Sequence, residues 1–123
     1  MQAVIICGGK GLRLKSITKN KPKALAKFNK IENLARQINM LKKNGVNSFL
    51  FLVNNFEKEI SSFIKKKYHK KFIICKDKNY FGTGGAIFSA KKKLQNNFLI
   101  VYSDLYFNFN FKNFVKYSKK KKA

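Results

Sequence analysis

The sequence predicts an α/β fold in which an open parallel β-sheet carries helices on both faces. Two observations carry this prediction. Four short apolar runs, each typical of a buried strand, alternate with segments whose apolar residues recur at helical spacing. The 123 residues fit one small domain, and a 45% hydrophobic composition with 13 Phe supplies enough apolar mass for a packed core.

The predicted elements alternate between strand and helix along the chain. Continuous apolar runs predict four strands, at Ala3–Cys7, Phe49–Val53, Phe72–Cys75 and Phe98–Tyr102. Helical spacing predicts helices at Glu32–Lys43, Glu57–Lys67, Ala86–Leu94 and Phe109–Tyr117, with Gly45 as the C-cap of the first. Strands joined through helices favour right-handed crossovers and therefore a parallel sheet. In such sheets, ligands bind at the carboxyl ends of the strands.

The charge of the chain admits two interpretations. Its 28 Lys and Arg residues against 5 acids give a formal net charge of +23, which is typical of proteins that bind nucleic acid or anionic lipid. Only Arg13 and Arg36 are arginines, however, and the lysines are spread over nearly the whole chain. Because Lys, Asn, Ile, Phe and Tyr share A/T-rich codons, we favour biased genome composition and expect no specific nucleic-acid partner. A non-catalytic basic module that binds polyanions is the alternative.

The sequence also predicts the cellular compartment of the protein and the bounds of its domain. No apolar run approaches the roughly 20 residues that a membrane-spanning helix needs, and Met1 leads into a strand-like run without a basic leader. Cys7 and Cys75 lie in strand-like runs without metal-ligand spacing, which predicts reduced core residues. We therefore expect a cytoplasmic protein without a membrane partner. We expect one domain over residues 1–118 and a basic tail over residues 119–123.

A glycine-rich loop follows the first predicted strand. It reads Gly8, Gly9, Lys10, Gly11, Leu12, Arg13. Glycines let backbone N–H groups approach an anion, and the two basic side chains can neutralise phosphate charge. The spacing matches neither the dinucleotide fingerprint nor Walker A, so a phosphate-binding loop and a simple tight turn are both open for this segment alone.

Two further positions are candidates for phosphate chemistry. Pro22 fixes the backbone beside Lys23, whose ammonium is suited to gathering two phosphate groups against their mutual repulsion. Asp104 follows the fourth predicted strand and, with so few acids in the chain, is the best candidate for a metal ligand. A helix or turn cap is the alternative role of Asp104.

Three motifs together resemble the sugar-phosphate nucleotidyltransferase family. They are AVIICGGKGLRLKSITKNKPKAL at the start of the chain, GTGGAI from Gly82 onward, preceded by Asp77, and FLIVYSDLYFNF around Asp104. They follow the family's order and spacing over residues 1 to about 111. The opening and GTGGAI are most similar to the guanylyltransferases that act on heptose 1-phosphate or mannose 1-phosphate. The resemblance implies a Rossmann-like, glycosyltransferase-A-like sheet in a truncated form, as the N-terminal half of the family domain.

The resemblance also implies an activity and a set of roles. The activity is transfer of a nucleoside monophosphate, in this case GMP, from a nucleoside triphosphate to a sugar 1-phosphate, with release of pyrophosphate. Arg13 and Lys23 are the implied catalytic residues, and Asp104 is the implied ligand of Mg²⁺. The implied nucleotide-binding residues lie in the two glycine-rich segments: Gly8, Gly9, Lys10, Gly11, Gly82, Thr83 and Gly85.

The sequence departs from the family pattern in residues and in length. Leu12 stands where the family has Thr, Ser103 replaces the Gly before the metal-binding Asp, and Lys27 and Ile31 replace prolines. Family catalytic domains are around twice as long, and their second half supplies much of the sugar pocket and a second metal carboxylate. We therefore expect low or absent turnover from this chain alone. We also expect an unpaired sheet edge, with self-association or a partner that supplies the missing half.

Overall fold

The computed structural model describes residues 1–8, 21–68, 72–76 and 82–121, and it confirms a parallel sheet with helices on both faces. The strands are β1 (Gln2–Ile6), β2 (Lys27–Phe28), β3 (Ile31–Glu32), β4 (Ser48–Val53), β5 (Ile73–Lys76) and β6 (Phe98–Tyr102). The helices are α1 (Asn33–Lys43), α2 (Glu57–Tyr68), α3 (Gly82–Ser89) and α4 (Phe111–Lys120). Short 3₁₀ turns span Lys23–Leu25 and Lys91–Lys93.

The strand β1 lies at the centre of the main sheet. The order of the four strands is β5-β4-β1-β6, and all pairs are parallel. Ile5 lies opposite Phe51 of β4 and Val101 of β6. Ala3, Val4 and Ile5 are completely buried, because β1 has a neighbour on each edge and a packed layer on each face. This burial explains why the first apolar run is continuous rather than alternating.

The two faces of the sheet carry separate cores, because successive side chains of a strand point to opposite faces. On one face α1, α2 and α4 cover the larger core, which includes Ile5, Phe51, Ile38, Ile60 and Phe111. On the other face α3 covers a smaller core, which includes Val4, Leu50, Leu52, Ala86 and Ala90. The helices therefore lie on both sides of the sheet, as predicted.

The first helix ends as its sequence predicts. Leu34, Ile38 and Leu41 of α1 are completely buried, which confirms the helical spacing. Gly45 has a φ of 86°, a left-handed conformation that glycine adopts without steric cost. Its N–H donates to the carbonyl of Lys42 at 3.0 Å, and the N–H of Val46 donates to that of Leu41 at 3.0 Å. These two bonds form a Schellman motif.

Two parts of the predicted element pattern are wrong. The helix predicted at Ala86–Leu94 is α3, which begins at Gly82 and ends at Ser89. Glycine has low helix propensity, yet packing of Ala86 and Ala90 against the smaller core keeps the glycine-rich segment helical. The β2–β3 hairpin was not predicted, because each strand has only two residues; its turn places Asn29 and Lys30 at positive φ.

The last helix differs slightly from its predicted range. The helix α4 begins at Phe111, where the side chain of Asn110 accepts a hydrogen bond from the N–H of Asn113 at 3.0 Å. It continues through Lys119 and Lys120, so the helix crosses the start of the predicted basic tail. The division into residues 1–118 and 119–123 stays a prediction. Among the helices that the structure describes, none has both the length and the apolar character needed to span a membrane.

Both cysteines are free thiols, as predicted. Cys7 follows β1, is 4% exposed and belongs to the larger core, whereas Cys75 is half-buried at the edge of the smaller one. Burial raises the pKa of the Cys7 thiol to about 12, and a hydrogen bond with Ser103 opposes this only in part. The folded state therefore strongly favours the protonated thiol.

Replacing a buried residue of the central strand should cost far more stability than replacing an exposed residue of the edge strand β6. We expect Ile5→Ala to lower the free energy of unfolding by about 2–5 kcal/mol, because it opens a cavity in the larger core. Ile100 of β6 is 41% exposed, so Ile100→Ala should cost about 1 kcal/mol or less. Urea unfolding at neutral pH measures both. Equal costs would contradict the central position of β1.

The buried thiol should make the chain less stable as the pH rises above about 9. Between its unfolded pKa of 9.0 and its folded pKa of about 12, Cys7 keeps its proton only in the folded state. Unfolding then releases a proton, so stability falls with pH by up to about 1.4 kcal/mol per unit. Burial, with a smaller effect from Glu32, also raises the pKa of Tyr68 to about 12, and this contribution begins above pH 10.

The variant Cys7→Ala isolates the contribution of the thiol. In this variant the free energy of unfolding should fall less steeply between about pH 9 and 10 than in the wild type. This holds whatever the effect of the substitution on stability at neutral pH. Urea unfolding of both proteins at several pH values gives the two slopes. Parallel slopes in that window would show that the Cys7 thiol ionises equally well in the folded and unfolded chains.

Candidate functional site

The carboxyl ends of three strands meet at a cavity of about 260 Å³. Its walls come from the ends of β1, β4 and β6, from the turn at Lys23 and from the first turn of α3. The residues that line it are Ile6, Cys7, Gly8, Lys23, Ala24, Leu52, Val53, Asn54, Gly82, Thr83, Ala86, Tyr102, Ser103 and Asp104. The cavity therefore lies where parallel sheets bind their ligands.

The structure brings five of the predicted site residues together. Gly8, Lys23, Gly82, Thr83 and Asp104 all line this cavity, although they come from three separate parts of the chain. Gly85, in the first turn of α3, is not a lining residue. The other predicted site residues lie outside the described part of the chain: Gly9, Lys10, Gly11 and Arg13. Asp77, which precedes the second motif, also lies outside it.

Gly8 brings the backbone at the end of β1 close to the end of β4. A Cβ atom at this position would lie 2.9 Å from Nδ2 of Asn54, closer than carbon atoms approach such groups in proteins. The sequence did not single out Asn54, although its position directly after the apolar run of β4 was a signal for a strand-end residue. A side chain at position 8 would therefore displace the amide of Asn54 from its place at the end of β4.

Lys23 is held at the cavity by a rigid turn. Pro22 is buried with a φ of −64°, and its carbonyl accepts a hydrogen bond from the N–H of Leu25 at 2.9 Å. The carbonyl of Lys23 accepts from the N–H of Ala26 at 3.0 Å, and Ala24 is buried in the larger core. The turn is therefore anchored on both sides of the lysine, while its side chain remains 25% exposed.

Asp104 lies in a turn directly beyond the paired ends of β1 and β6. The N–H of Ser103 donates to the carbonyl of Ile6 at 3.0 Å, which continues the pairing of β6 with β1. The N–H of Leu105 then closes a turn by donating to the carbonyl of Tyr102 at 3.2 Å. This turn presents the carboxylate of Asp104, 49% exposed, at the mouth of the cavity.

Lys23 and Asp104 face each other across the cavity. Their Nζ and Oδ2 atoms are 4.0 Å apart, at the outer limit of an ion pair and too far for a direct hydrogen bond. Both side chains are partly exposed, so water screens their attraction. The two charges are therefore placed together but available to other partners.

The first turn of α3 adds a third electrostatic element. Gly82 and Thr83 place the N-terminal end of this helix against the cavity. The backbone N–H groups of a first helical turn have no acceptor within the helix and carry partial positive charge. Together with the ammonium of Lys23, they make the cavity suited to an anion such as a phosphate group.

The chain matches proteins of known activity. A family model described as Nucleotidyl transferase matches residues 2–123. D-glycero-alpha-D-manno-heptose 1-phosphate guanylyltransferase of Campylobacter jejuni is 35% identical over 113 residues, covering 88% of this chain and 49% of that protein. Choline-phosphate cytidylyltransferase of Streptococcus pneumoniae is 29% identical over 113 residues, covering 92% of this chain and 49% of that protein.

A solved structure shares both sequence and fold with the chain. HddC from Yersinia pseudotuberculosis, complexed with GMP-PN, has a TM-score of 0.84 at 28% identity and covers 95% of this chain and 53% of that one. The chain thus spans about half the length of the relatives it matches here. Because the family model extends from residue 2 to residue 123, the chain belongs to the nucleotidyl transferase family.

Proposed function

We propose that this chain carries the nucleotide-binding part of a nucleotidyltransferase that transfers GMP from GTP to a heptose-type or mannose-type sugar 1-phosphate. One observation supports this above all: Lys23, Asp104 and the first turn of α3 converge on a single strand-end cavity. Membership of the family supports the reaction type. The Campylobacter relative supports the choice of guanine and heptose, while the cytidylyltransferase relative shows that the base must be measured.

The proposed reaction is a substitution at phosphorus. An oxygen of the sugar 1-phosphate forms a bond to the α-phosphorus of the triphosphate, while the bond from that phosphorus to the β-bridging oxygen breaks. Pyrophosphate leaves with the electron pair of that bond, and no covalent intermediate with the protein is needed. The protein's contribution is to align two negatively charged groups and to neutralise their charge.

Lys23 is suited to the central role in this alignment. Its ammonium lies in the cavity and can contact an oxygen of the attacking phosphate and an oxygen of the α-phosphate. The anchored turn fixes the backbone on both sides of it, so little entropy is lost when the phosphates bind. The N–H groups of the first turn of α3 would hold further phosphate or sugar oxygens beside Thr83.

Residues of the first loop complete the proposal. We assign nucleotide binding to the backbone of Gly8, Gly9 and Gly11 with the side chain of Lys10, and contact with the leaving phosphates to Arg13. Gly82, Thr83 and Gly85 would form the side of the site nearest the base and sugar. Of those that the structure describes, Gly8, Gly82 and Thr83 line the cavity, and Gly85 does not.

The donor set of the cavity fits a magnesium ion. Among the described residues, no group of three or more His, Cys, Asp or Glu side chains is placed to hold a metal. Mg²⁺ commonly takes only one or two protein carboxylates and completes its shell with water and substrate phosphates. Asp104, with an exposed carboxylate at the mouth of the cavity, would hold it. When bound, the ion supplies charge neutralisation at the phosphate oxygens.

The two free thiols support a proposal about the compartment in which the protein is found. Free Cys7 and Cys75 accord with a reducing compartment. Nucleoside triphosphates and sugar phosphates are found in the same compartment, so we propose the cytoplasm as the location.

Thermal unfolding in the presence of ligands tests the proposed function. At about 200 mM salt, where long-range attraction is screened, GTP with Mg²⁺ should raise the melting temperature more than CTP, ATP, UTP or dTTP with Mg²⁺. Inorganic tripolyphosphate should have a smaller effect, since it offers no base. Equal shifts for every polyanion that fade with added salt would instead support the basic polyanion-binding module.

Two variants identify the residues that carry this binding. Lys23→Gln should weaken GTP binding roughly 10- to 100-fold, because it removes a charged donor to phosphate. Asp104→Asn should abolish the gain in affinity that Mg²⁺ provides, with little change in binding without it. Lys58→Gln on α2 is the matched control, since it removes the same charge at an exposed position outside the cavity. Equal losses in Lys23→Gln and Lys58→Gln would reject the site.

The outer edge of β6 supports a further proposal about partners. Among the described strands, β6 pairs only with β1, and its sequence FLIVY contains no charged residue. Ile100 and Tyr102 of this strand are 41% and 43% exposed. We infer that the edge pairs with the same edge of a second copy of the chain. The opposite edge strand, β5, is shorter and ends in Lys76, a charge that disfavours such pairing.

Salt should increase this self-association. The net charge of +23 repels a second copy, so screening should favour the dimer. Light scattering after size exclusion, at about 50 mM and about 500 mM salt, measures the molar mass. Ile100→Lys should keep the chain monomeric at both salt concentrations, whereas Ile73→Lys on β5 should not. A monomeric wild-type chain at high salt would reject the pairing.

A further inference from the structure

Two buried side-chain amides of α1 hold the turn that contains Asp104. Asn33 and Gln37 are one helical turn apart and are 5% and 4% exposed, unusual burial for such polar residues. Nδ2 of Asn33 donates to the carbonyl of Ser103 at 2.6 Å. Nε2 of Gln37 donates to the carbonyls of Tyr102 at 2.8 Å and Leu105 at 2.6 Å. The three bonds thus bracket Asp104 on both sides.

Asn33 also holds the turn that contains Lys23. Its backbone N–H donates to the carbonyl of Ala26 at 3.0 Å, and the N–H of Ala26 closes the turn onto the carbonyl of Lys23. One residue therefore bonds to both turns, through its backbone on one side and its side chain on the other. Asn33 thereby connects the turn that carries Lys23 with the turn that carries Asp104.

The buried amide of Gln37 is less favourable for folding than it would be if both of its polar atoms were hydrogen-bonded. Its Oε1 is buried and has no hydrogen-bond partner among the described residues, and burial of an oxygen without a partner destabilises the fold. An apolar side chain of the same size would avoid that cost. The two carbonyls that its Nε2 holds beside Asp104 offer a reason for the amide.

We propose that Asn33 is a positioning residue that sets the distance between Lys23 and Asp104, and that Gln37 supports it by fixing the turn of Asp104. This inference rests on the proposed function, since it assigns a purpose to that spacing. An ion that demands near-ideal octahedral geometry tolerates little displacement of its carboxylate. A phosphate that must contact Lys23 and the ion at once likewise requires both turns to be held together.

Metal-dependent binding in Asn33→Leu and Gln37→Met tests this role. Leu is close to Asn in shape, and Met is close to Gln, but neither donates a hydrogen bond. Isothermal titration with GTP, in Mg²⁺ and in EDTA, gives the gain in affinity due to the metal. We expect both variants to lower that gain about tenfold, as removal of groups that orient metal ligands commonly does. Affinity in EDTA should change less than about threefold.

Asn39→Leu is the matched control, because it makes the same substitution at an exposed position of α1. It should leave the gain from Mg²⁺ unchanged. An undiminished gain in Asn33→Leu, or an equal loss in EDTA and in Mg²⁺, would overturn the positioning role. Both results leave the proposed function standing, because the wild-type chain would still bind GTP.

Amide hydrogen exchange without nucleotide tests the bridge by itself. Asn33→Leu should speed exchange at Leu105, whose N–H closes the turn of Asp104, whereas Ala26 should exchange as in the wild type, because leucine keeps the backbone N–H that holds the turn of Lys23. Gln37→Met should speed exchange at Leu105 alone. If the wild-type chain binds no nucleotide, the proposed function fails and these rates still decide the bridge. A wild-type exchange rate at Leu105 in Asn33→Leu would reject it.

Discussion

Two parallel hydrogen-bond ladders hold β1 between β4 and β6, and the candidate site depends on them. Both ladders continue beyond the strands: the N–H of Cys7 donates to the carbonyl of Leu52 at 2.8 Å, and that of Ser103 to the carbonyl of Ile6 at 3.0 Å. In-register parallel pairing brings carboxyl ends to the same edge of a sheet. Residues nearly a hundred positions apart, such as Gly8 and Asp104, therefore line one cavity.

The ladders fix only the strand ends, and a helix places the charged side chains upon them. The turn of Lys23 and the turn of Asp104 both hydrogen-bond to the start of α1. That helix is itself anchored in the larger core through Leu34, Ile38 and Leu41. Core packing and site geometry are thus connected through one element: its apolar face stabilises the fold, and its two buried amides face the turns of the site.

A net charge of +23 is compatible with this fold because none of the described lysines is buried in the core. Glu32 shows how the few acids are used: Nζ of Lys67 lies 2.9 Å from its Oε2, and that bond holds the pKa of Glu32 below its usual value. Lys42 lies 4.8 Å from the ring centre of Tyr68, a favourable cation–π contact. The charge itself carries little information about the ligand, because the lysines are spread along nearly the whole chain, whereas Lys23 lines a particular cavity.

The sequence by itself determined the layers of the fold and most of its elements. Continuous apolar runs specified the four main strands, and the spacing of residues such as Leu34, Ile38 and Leu41 specified a helix, because both patterns are local. Local patterns failed at the start of α3, where Gly84 and Gly85 are helical despite the low helix propensity of glycine because α3 packs against the sheet. They also missed the two-residue strands of the β2–β3 hairpin, which are too short to show a period.

For the candidate site as well, some features could be predicted from the sequence and others depended on the tertiary structure. Lys23, Asp104 and the glycines could be named from motifs, because each motif is a continuous stretch of sequence. Only the tertiary structure placed Gly8 against Asn54, and only it joined Asn33 to Ser103 across 70 positions. A buried amide has no sequence signature of its own, since its partners are backbone carbonyls that every residue possesses. Which carbonyls it meets is decided by the packing of α1 on the sheet.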